Sequence, residues 1–398
     1  MRVALITVGY PPDRSSVAVL MRDLAREFLA QGHEPVVLVP DAGIRGSHTL
    51  EHLDGIEVLR LRAPRSRDTN YIWRTVAELV LPWAMLRGLR KSPFRSQRWD
   101  ALVWYSPSMF FGPLIVALKR SSSCRSYLIL RDIFPEWAVD LGLLKRGLAY
   151  RFFKRIERQQ HAAADIIGIQ APSNRQYLAH LENKSIPRLE VLWNWLAPAP
   201  NVGCSIDVAA TPLRGRTIFV YAGNMGVAQG LDVLLELAER LTDRRDTGFL
   251  FVGRGSEVQR LRARAAQRHL DNVLFYGEID PREIPGLLAQ CHVGILSLDP
   301  RHKTHNIPGK FLAYLQAGLP VLARVNPNND LVGLIDNEGV GCVDLALSLD
   351  SLQGLAERMA NDPKARESMA MRGRALARKL FSPDTAVRQI VSSLSRNV

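Results

Sequence analysis

The chain has 398 residues, a formal net charge of +13, and 47% hydrophobic against 23% charged residues. That length exceeds one ordinary core and predicts two or three domains, and the composition excludes a disordered, collagenous or disulfide-rich chain. The charge is local. Arg60 to Arg98 holds ten basic and two acidic residues, and Lys145 to Arg158 holds six and one. A surface of that kind suits nucleic acid, anionic lipid or an anionic substrate.

Val3–Val8 reads as a strand that opens the chain with no signal-peptide layout, so a cytoplasmic protein is expected. It runs into Thr7-Val-Gly-Tyr-Pro-Pro-Asp-Arg-Ser-Ser16, where Ser15 and Ser16 either bond a ligand oxyanion or cap the next helix, Val17–Ala30. Pro35–Val39 and Ile56–Leu61 read as further strands. Tyr71–Leu86 is apolar, with Trp73 and Trp83, but Arg74, Glu78 and Pro82 interrupt it too often for a membrane span. Trp83 beside Arg87, Arg90, Lys91 and Arg95 suits a helix lying on an anionic leaflet; a core helix with a solvated basic end is the alternative. No nucleic-acid-binding motif is present, and nucleic acid is not an expected partner.

Ala101–Tyr105, Tyr127–Leu130 and Asp165–Ile169 continue an alternation of strands and helices, which implies a parallel sheet covered on both faces. After Leu130, the run Arg131-Asp-Ile-Phe-Pro-Glu136 puts Asp132 and Glu136 at a strand's C-terminal end. Sheets of this class present ligand-binding groups there. The two carboxylates either serve an acceptor hydroxyl or form a salt bridge with Arg131.

Leu196–Val202, rich in Pro and Ala, reads as a linker, and a second alternating series begins near Thr217. Its strands are Ile218–Tyr221, Gly248–Val252, Val273–Tyr276, Val293–Ser297 and Val321–Ala323. The expected architecture is α/β, with two doubly wound domains (1–196 and 197–380) facing across a cleft. A terminal segment, 381–398, carries Ala386, Ile390 and Leu394 at helical spacing.

Ile218–Tyr221 leads into Gly223, Asn224, Gly226, Gln229 and Gly230, and then Leu231, Leu234, Leu235, Ala238 and Leu241 recur at helical spacing. Such a loop lets backbone N–H groups meet an anion at a helix N-terminus; an unoccupied turn is the competing reading. Gly253 and Gly255 follow the next strand. Tyr276, Gly277 and Ile279 follow the third, where backbone groups suit a flat base. Pro308 and Gly309 start a helix over Lys310–Ala317 that Gly318 and Pro320 end. Lys310 therefore sits in a first turn, where a cation opposes the helix dipole unless an anion is also there. That residue points to phosphate. The four cysteines lack disulfide or metal spacing and no DxD motif is present, so neither cofactor nor metal is expected.

Tyr221-Ala-Gly-Asn-Met-Gly226, Phe251-Val-Gly-Arg-Gly255, Val273-Leu-Phe-Tyr-Gly277 and Gly318-Leu-Pro320 at their spacings resemble glycosyltransferase family 4, of the GT-B fold, over nearly the whole chain. Arg131-Asp-Ile-Phe-Pro-Glu136 and Ile307-Pro-Gly-Lys310 resemble the subgroup that builds O-antigens and capsules, including fucosamine (WbuB-type) transferases. The resemblance implies a retaining, metal-independent transfer of a sugar from a nucleotide diphosphate. The implied donor is a UDP-sugar, and the acceptor is a polyprenyl-diphosphate-linked glycan at the inner membrane face. It also implies that the terminal helix packs back on the first domain. The chain departs from the family pattern where Asn224 and Gln229 replace the Arg and Lys that grip the diphosphate. The paired glutamates fall on His305 and Ala313, and the Gly-Gly of the first loop on Ser15-Ser16. Lys310 and backbone amides would supply the grip instead. Two other readings are a UDP-sugar 2-epimerase of the same fold and a non-enzymatic membrane-surface protein that binds nucleotide or lipid.

Overall fold

A computed structural model describes residues 1–66, 70–140, 142–181, 187–299 and 307–396. The chain divides into two compact units, Met1–Trp195 with Pro383–Val398, and Leu196–Ser382.

The strands of the first unit are β1 (Arg2–Ile6), β2 (Glu34–Asp41), β3 (His48–Leu53), β4 (Ile56–Arg62), β5 (Ala101–Ser106), β6 (Arg125–Leu130), β7 (Ile166–Ile169) and β8 (Arg188–Val191). Its helices are α1 (Ser16–Ala30), α2 (Tyr71–Arg90), α3 (Gly112–Ser122), α4 (Glu136–Asp140) and α5 (Leu148–Ala163). The sheet order is β3-β4-β2-β1-β5-β6-β7-β8, parallel except where β3 pairs antiparallel with β4. The central strands are apolar throughout because both faces are covered. One face packs α2 and α3 through Leu81, Met85, Leu114 and Ile115. The other packs α1 through Met21, Leu24 and Phe28, together with Ala386, Val387 and Ile390 of the terminal helix.

The second unit holds β9 (Thr217–Ala222), β10 (Thr247–Val252), β11 (Val273–Tyr276), β12 (Val293–Ser297), β13 (Val321–Arg324) and β14 (Gly341–Val343). Between and after them lie α6 (Asp232–Arg240), α7 (Val258–Gln267), α8 (Ile284–Leu288), α9 (Gly309–Ala317), α10 (Asp330–Glu338), α11 (Leu349–Asn361) and α12 (Pro363–Leu380). The terminal helix α13 spans Pro383–Ser395. The strands form one parallel sheet in the order β11-β10-β9-β12-β13-β14. Stacked Phe219–Phe249 and Phe251–Phe275 rings tie β9, β10 and β11 together, at centroid distances of 5.3 and 4.9 Å. The order reverses direction between β9 and β12, the switch point where open α/β sheets bind ligands beyond their strand ends.

Three strands lie outside the sequence reading: β3, β8 and β14. β3 forms a hairpin with β4 through Asp54-Gly55, both at positive φ (56° and 79°), the backbone a two-residue primed turn requires. Tyr71–Leu86 is helical and continues to Arg90.

Candidate active site

In the second unit the loops after β9, β10 and β11 are held to one another by backbone hydrogen bonds. Gly223 N–H donates to the Val252 carbonyl (2.9 Å), Met225 N–H to Arg254 (2.7 Å) and Gly253 N–H to Tyr276 (3.3 Å). Gly223, Gly253 and Gly255 have φ of 138°, 144° and 155°, a region that side chains rarely enter. A Cβ on Gly253 would lie 2.0 Å from the Gly223 carbonyl oxygen, and one on Gly255 2.1 Å from that of Met225. The glycines therefore let three strand ends close into one backbone-lined rim.

Asn224 and Gln229 organise that rim. Gln229 Oε1 accepts from Gly226 N–H (2.9 Å) and from the Asn224 side-chain amide (3.2 Å). They shape the loop and bring no charge. Gly277 is exposed and Ile279 half-buried beyond β11, beside Tyr276 at its last position.

The charge comes from α9. Pro308 is its N-cap and Gly309 its exposed first residue, and first-turn N–H groups of a helix have no intrahelical acceptor. Lys310 reaches back over the loop, and its Nζ donates to the Tyr221 hydroxyl at 2.7 Å while standing 4.2 Å from that ring's centroid. The Tyr221 hydroxyl in turn donates to the Asn224 carbonyl at 2.7 Å. The stem passes close to Gly223, whose Cβ would meet Lys310 Cε at 3.4 Å. Burial pulls the Lys310 amine down to about 8, because a desolvated ammonium is disfavoured. Among the described residues it has no carboxylate partner. His305 lies outside the described residues, while Ala313 is on α9. Tyr221 was legible as strand but not as the seat of Lys310, since the contact spans 89 positions.

In the first unit Asp132 and Glu136 part company. Glu136 begins α4, where its carboxylate accepts from the Tyr150 hydroxyl (3.0 Å) and pairs with Lys154 (3.0 Å), which also binds Glu157. Burial pushes the Glu157 carboxyl up to about 7, against the pull of Lys154. Asp132 is half-buried, and desolvation holds its carboxyl above the ordinary value, with Trp137 and the Arg74 charge offsetting part of the effect.

Arg131 forms no salt bridge with either carboxylate. It is buried, and its guanidinium donates to the carbonyls of Leu130 (3.3 Å), Gly168 (3.5 Å) and Trp193 (3.3 Å) over the Trp195 ring. The salt-bridge alternative is thereby corrected: Arg131 braces the ends of β6 and β7 instead.

Ser15 accepts from Ala18 N–H (3.4 Å) and donates to Asp13 (3.0 Å), so it caps α1, and Ser16 is the first helical residue. Ser15 also lines a cavity of about 980 Å³ beyond the ends of β1, β2 and β4, with Asp41, Arg60, Arg74 and Glu78 in its wall. The Arg60–Glu51 pair (2.9 Å) and the Arg74–Glu78 pair (3.1 Å) give that cavity a mixed polar lining. Among the described residues no group of three His, Cys, Asp or Glu has metal-holding geometry.

On α2 Trp83, Arg87 and Arg90 are exposed, as are Lys91 at its C-cap and Arg95 in the turn beyond it. Ile72, Trp73, Val76 and Val80 are exposed as well, while Ala77, Leu81, Met85 and Leu89 are buried on the opposite side. The helix is thus apolar on both faces, core inward and an uncovered stripe outward. Among the described residues no helix is long and apolar enough to cross a membrane.

Residues 16–195 match the glycosyl transferase 4-like domain and residues 216–360 match glycosyl transferases group 1. The chain is 24% identical over 285 residues to the glycosyltransferase WbjE of Pseudomonas aeruginosa, with 70% of each chain covered. It is 22% identical over 315 residues to the colanic acid biosynthesis glycosyl transferase WcaI of Escherichia coli K12, covering 74% of this chain and 76% of that one. The α,α-trehalose-phosphate synthase (UDP-forming) of Burkholderia xenovorans, in complex with glucose-6-phosphate, superposes over 100% of both chains with a TM-score of 0.72 at 13% identity. Both halves have the parallel, doubly wound sheets of these enzymes, and the chain is a glycosyltransferase of GT-B fold, built from a glycosyl transferase 4-like domain followed by a group 1 domain.

Proposed function

We propose that the chain is a retaining glycosyltransferase of cell-surface polysaccharide synthesis, of the O-antigen or capsule kind. It moves an acetamido or deoxyamino sugar, of the fucosamine kind, from a UDP-sugar to a polyprenyl-diphosphate-linked glycan at the inner membrane face. The names of WbjE and WcaI support the pathway class, and a UDP-forming neighbour supports the nucleotide. The observation that carries the reading is Lys310. It is a desolvated cation in the first turn of α9, seated on Tyr221 beside a glycine-built rim and without a carboxylate partner among the described residues.

In this reading the glycosidic bond to the donor breaks as negative charge grows on the departing β-phosphate. Lys310 and the N–H groups of the α9 first turn and the Gly223–Gly226 loop stabilise that charge, and because they are fixed beforehand they need little reorganisation. The backbone at Tyr276–Ile279 takes the base. No step needs a metal. Asp132, unpaired with Arg131 and raised by burial, is the better group to receive the acceptor proton, since Glu136 is already committed to Lys154 and Tyr150. Asp132→Asn is expected to lower kcat/KM by roughly 10²–10⁴-fold. The wild-type rate should rise with pH through a carboxyl value above the ordinary one, and the variant should lose that limb in a pH–rate profile.

The outward stripe of α2, Ile72 to Trp83, followed by Arg87, Arg90, Lys91 and Arg95, fits the anionic leaflet that holds such an acceptor. The reading is tested by incubating the protein with UDP-sugars, with and without polyprenyl-diphosphate glycans, and following UDP release and product anomer. Acceptor-dependent release with the donor's anomeric configuration is expected. An epimerised sugar without acceptor identifies the 2-epimerase, and no turnover with any donor identifies a surface-binding protein.

A further inference from the structure

A second surface on the first unit repeats the chemistry of α2. Helix α5 buries Glu157, Gln160, His161 and Ala163 on one side. On the other side Leu148, Arg151, Phe152 and Arg155 are exposed at i, i+3, i+4 and i+7, the spacing of one helical stripe. Leu148 is 84% exposed, and Leu143, in the turn before the helix, is 72% exposed. Single exposed apolar residues are ordinary. Here they cluster, and every exposed charge from Lys145 to Arg158 is basic. Glu157, the acidic residue of that run, faces inward and holds Lys154.

The two surfaces share a side of the sheet. Helix α3 packs against both α2 and α5, and all three helices join the core cluster opposite α1 and α13. In a parallel sheet the covering helices run against the strands, so the first turns of α2 and α5 stand at the strands' C-terminal ends. The Asp132 loop lies between them. The charge of Arg74, on α2, acts on Asp132. Phe134, two residues on, packs edge-to-face on Phe153 of α5 at 4.9 Å.

We propose that α5 and the Leu143–Leu148 turn form a second contact with an anionic bilayer, so that α2 and α5 rest on the membrane on either side of the Asp132 loop. This rests on the membrane reading of α2 given above. The occupant is lipid because the charge is of one sign and the exposed apolar groups are Leu and Phe beside a Trp-bearing helix, the composition of an interfacial helix. Arg151 and Arg155 can lay their stems along the interface while the guanidinium groups meet headgroup phosphates. The arrangement would hold a lipid-linked acceptor where Asp132 can reach its hydroxyl.

The test is co-sedimentation of the full chain with vesicles of phosphatidylglycerol and phosphatidylethanolamine. Three double variants are compared with wild type: Leu148→Ser with Phe152→Ser, Arg151→Gln with Arg155→Gln, and Trp73→Ser with Trp83→Ser. Vesicle binding is expected to fall about tenfold or more for the Leu/Phe pair, and roughly fivefold for each arginine removed. The α2 variant should fall likewise. Unchanged melting and UDP-sugar binding confirm that these exposed substitutions leave the fold intact. If both α5 variants bind vesicles like wild type while the α2 variant does not, α5 is not a contact and the α2 reading stands. If wild type ignores the vesicles, both fail together. If the α5 variants instead dissolve a dimer seen by sedimentation velocity, the surface is a self-interface and the proposal is overturned.

Discussion

Replacing Lys310 with methionine is expected to lower kcat for sugar transfer by about 10²–10³-fold, the usual consequence of removing one preorganised charge donor from a developing oxyanion. Methionine keeps most of the stem that crosses Gly223 and lies on the Tyr221 ring, so the fold should survive. A pH signature accompanies the loss. Burial pulls the amine down to about 8 from its ordinary 10.5. Between those values the unfolded chain still carries a proton that the folded chain has lost, so this residue makes stability rise with pH across that window. A bound diphosphate reverses the preference, because it stabilises the ammonium. Affinity for a UDP-sugar should therefore be level below about pH 8 and decline above it, with proton uptake on binding in alkaline buffer. Calorimetry in buffers of different ionisation heat measures that uptake. A Lys310→Met variant that keeps the wild-type pH dependence would show that another group carries the charge.

How much of this was legible beforehand differs from one residue to the next, for physical reasons. The β9 strand, the glycine loop and the α9 helix with its Pro308 start and Gly318 stop are local features, and local rules were enough for them. The placement of Lys310 in the first turn of a helix, against the dipole, was also local, and the structure keeps it there. Strand β3 was missed because its pattern is polar and only half-buried, although Asp54-Gly55 carried the turn signal. Strands β8 and β14 are edge strands of four and three residues, too short for periodicity to register. Contacts between distant positions were out of reach: Tyr221 under Lys310, Lys154 on Glu136, and Arg131 turned toward Gly168 and Trp193. The last of these changed the chemistry most. A neighbouring arginine left a salt bridge open as the alternative for Asp132 and Glu136, whereas the fold points that arginine away.

The rim itself gives the second large effect. Gly253→Ala is expected to destabilise the protein by roughly 2–5 kcal/mol, combining overpacking with backbone strain, and to lower its melting temperature by roughly 5–15 °C. The new methyl group would sit 2.0 Å from the Gly223 carbonyl oxygen and 2.8 Å from its carbon. Those are backbone atoms, so no rotamer change relieves the clash. The loop after β9 must move away from β10, which breaks the 2.9 Å bond from Gly223 N–H to Val252 and lifts the loop off the Lys310 stem. UDP-sugar affinity should thus fall along with stability. Gly277→Ala is the matched control, since its Cβ would meet nothing within 4 Å and its backbone is not in the positive-φ region. That variant should melt within about 0.5 kcal/mol of wild type, as surface substitutions do. Melting curves of the two variants without ligand decide the matter, and UDP-sugar affinity is read for Gly253→Ala against wild type. A Gly253→Ala protein as stable as Gly277→Ala would mean that the three strand ends do not close on one another, and the backbone cradle would lose its basis.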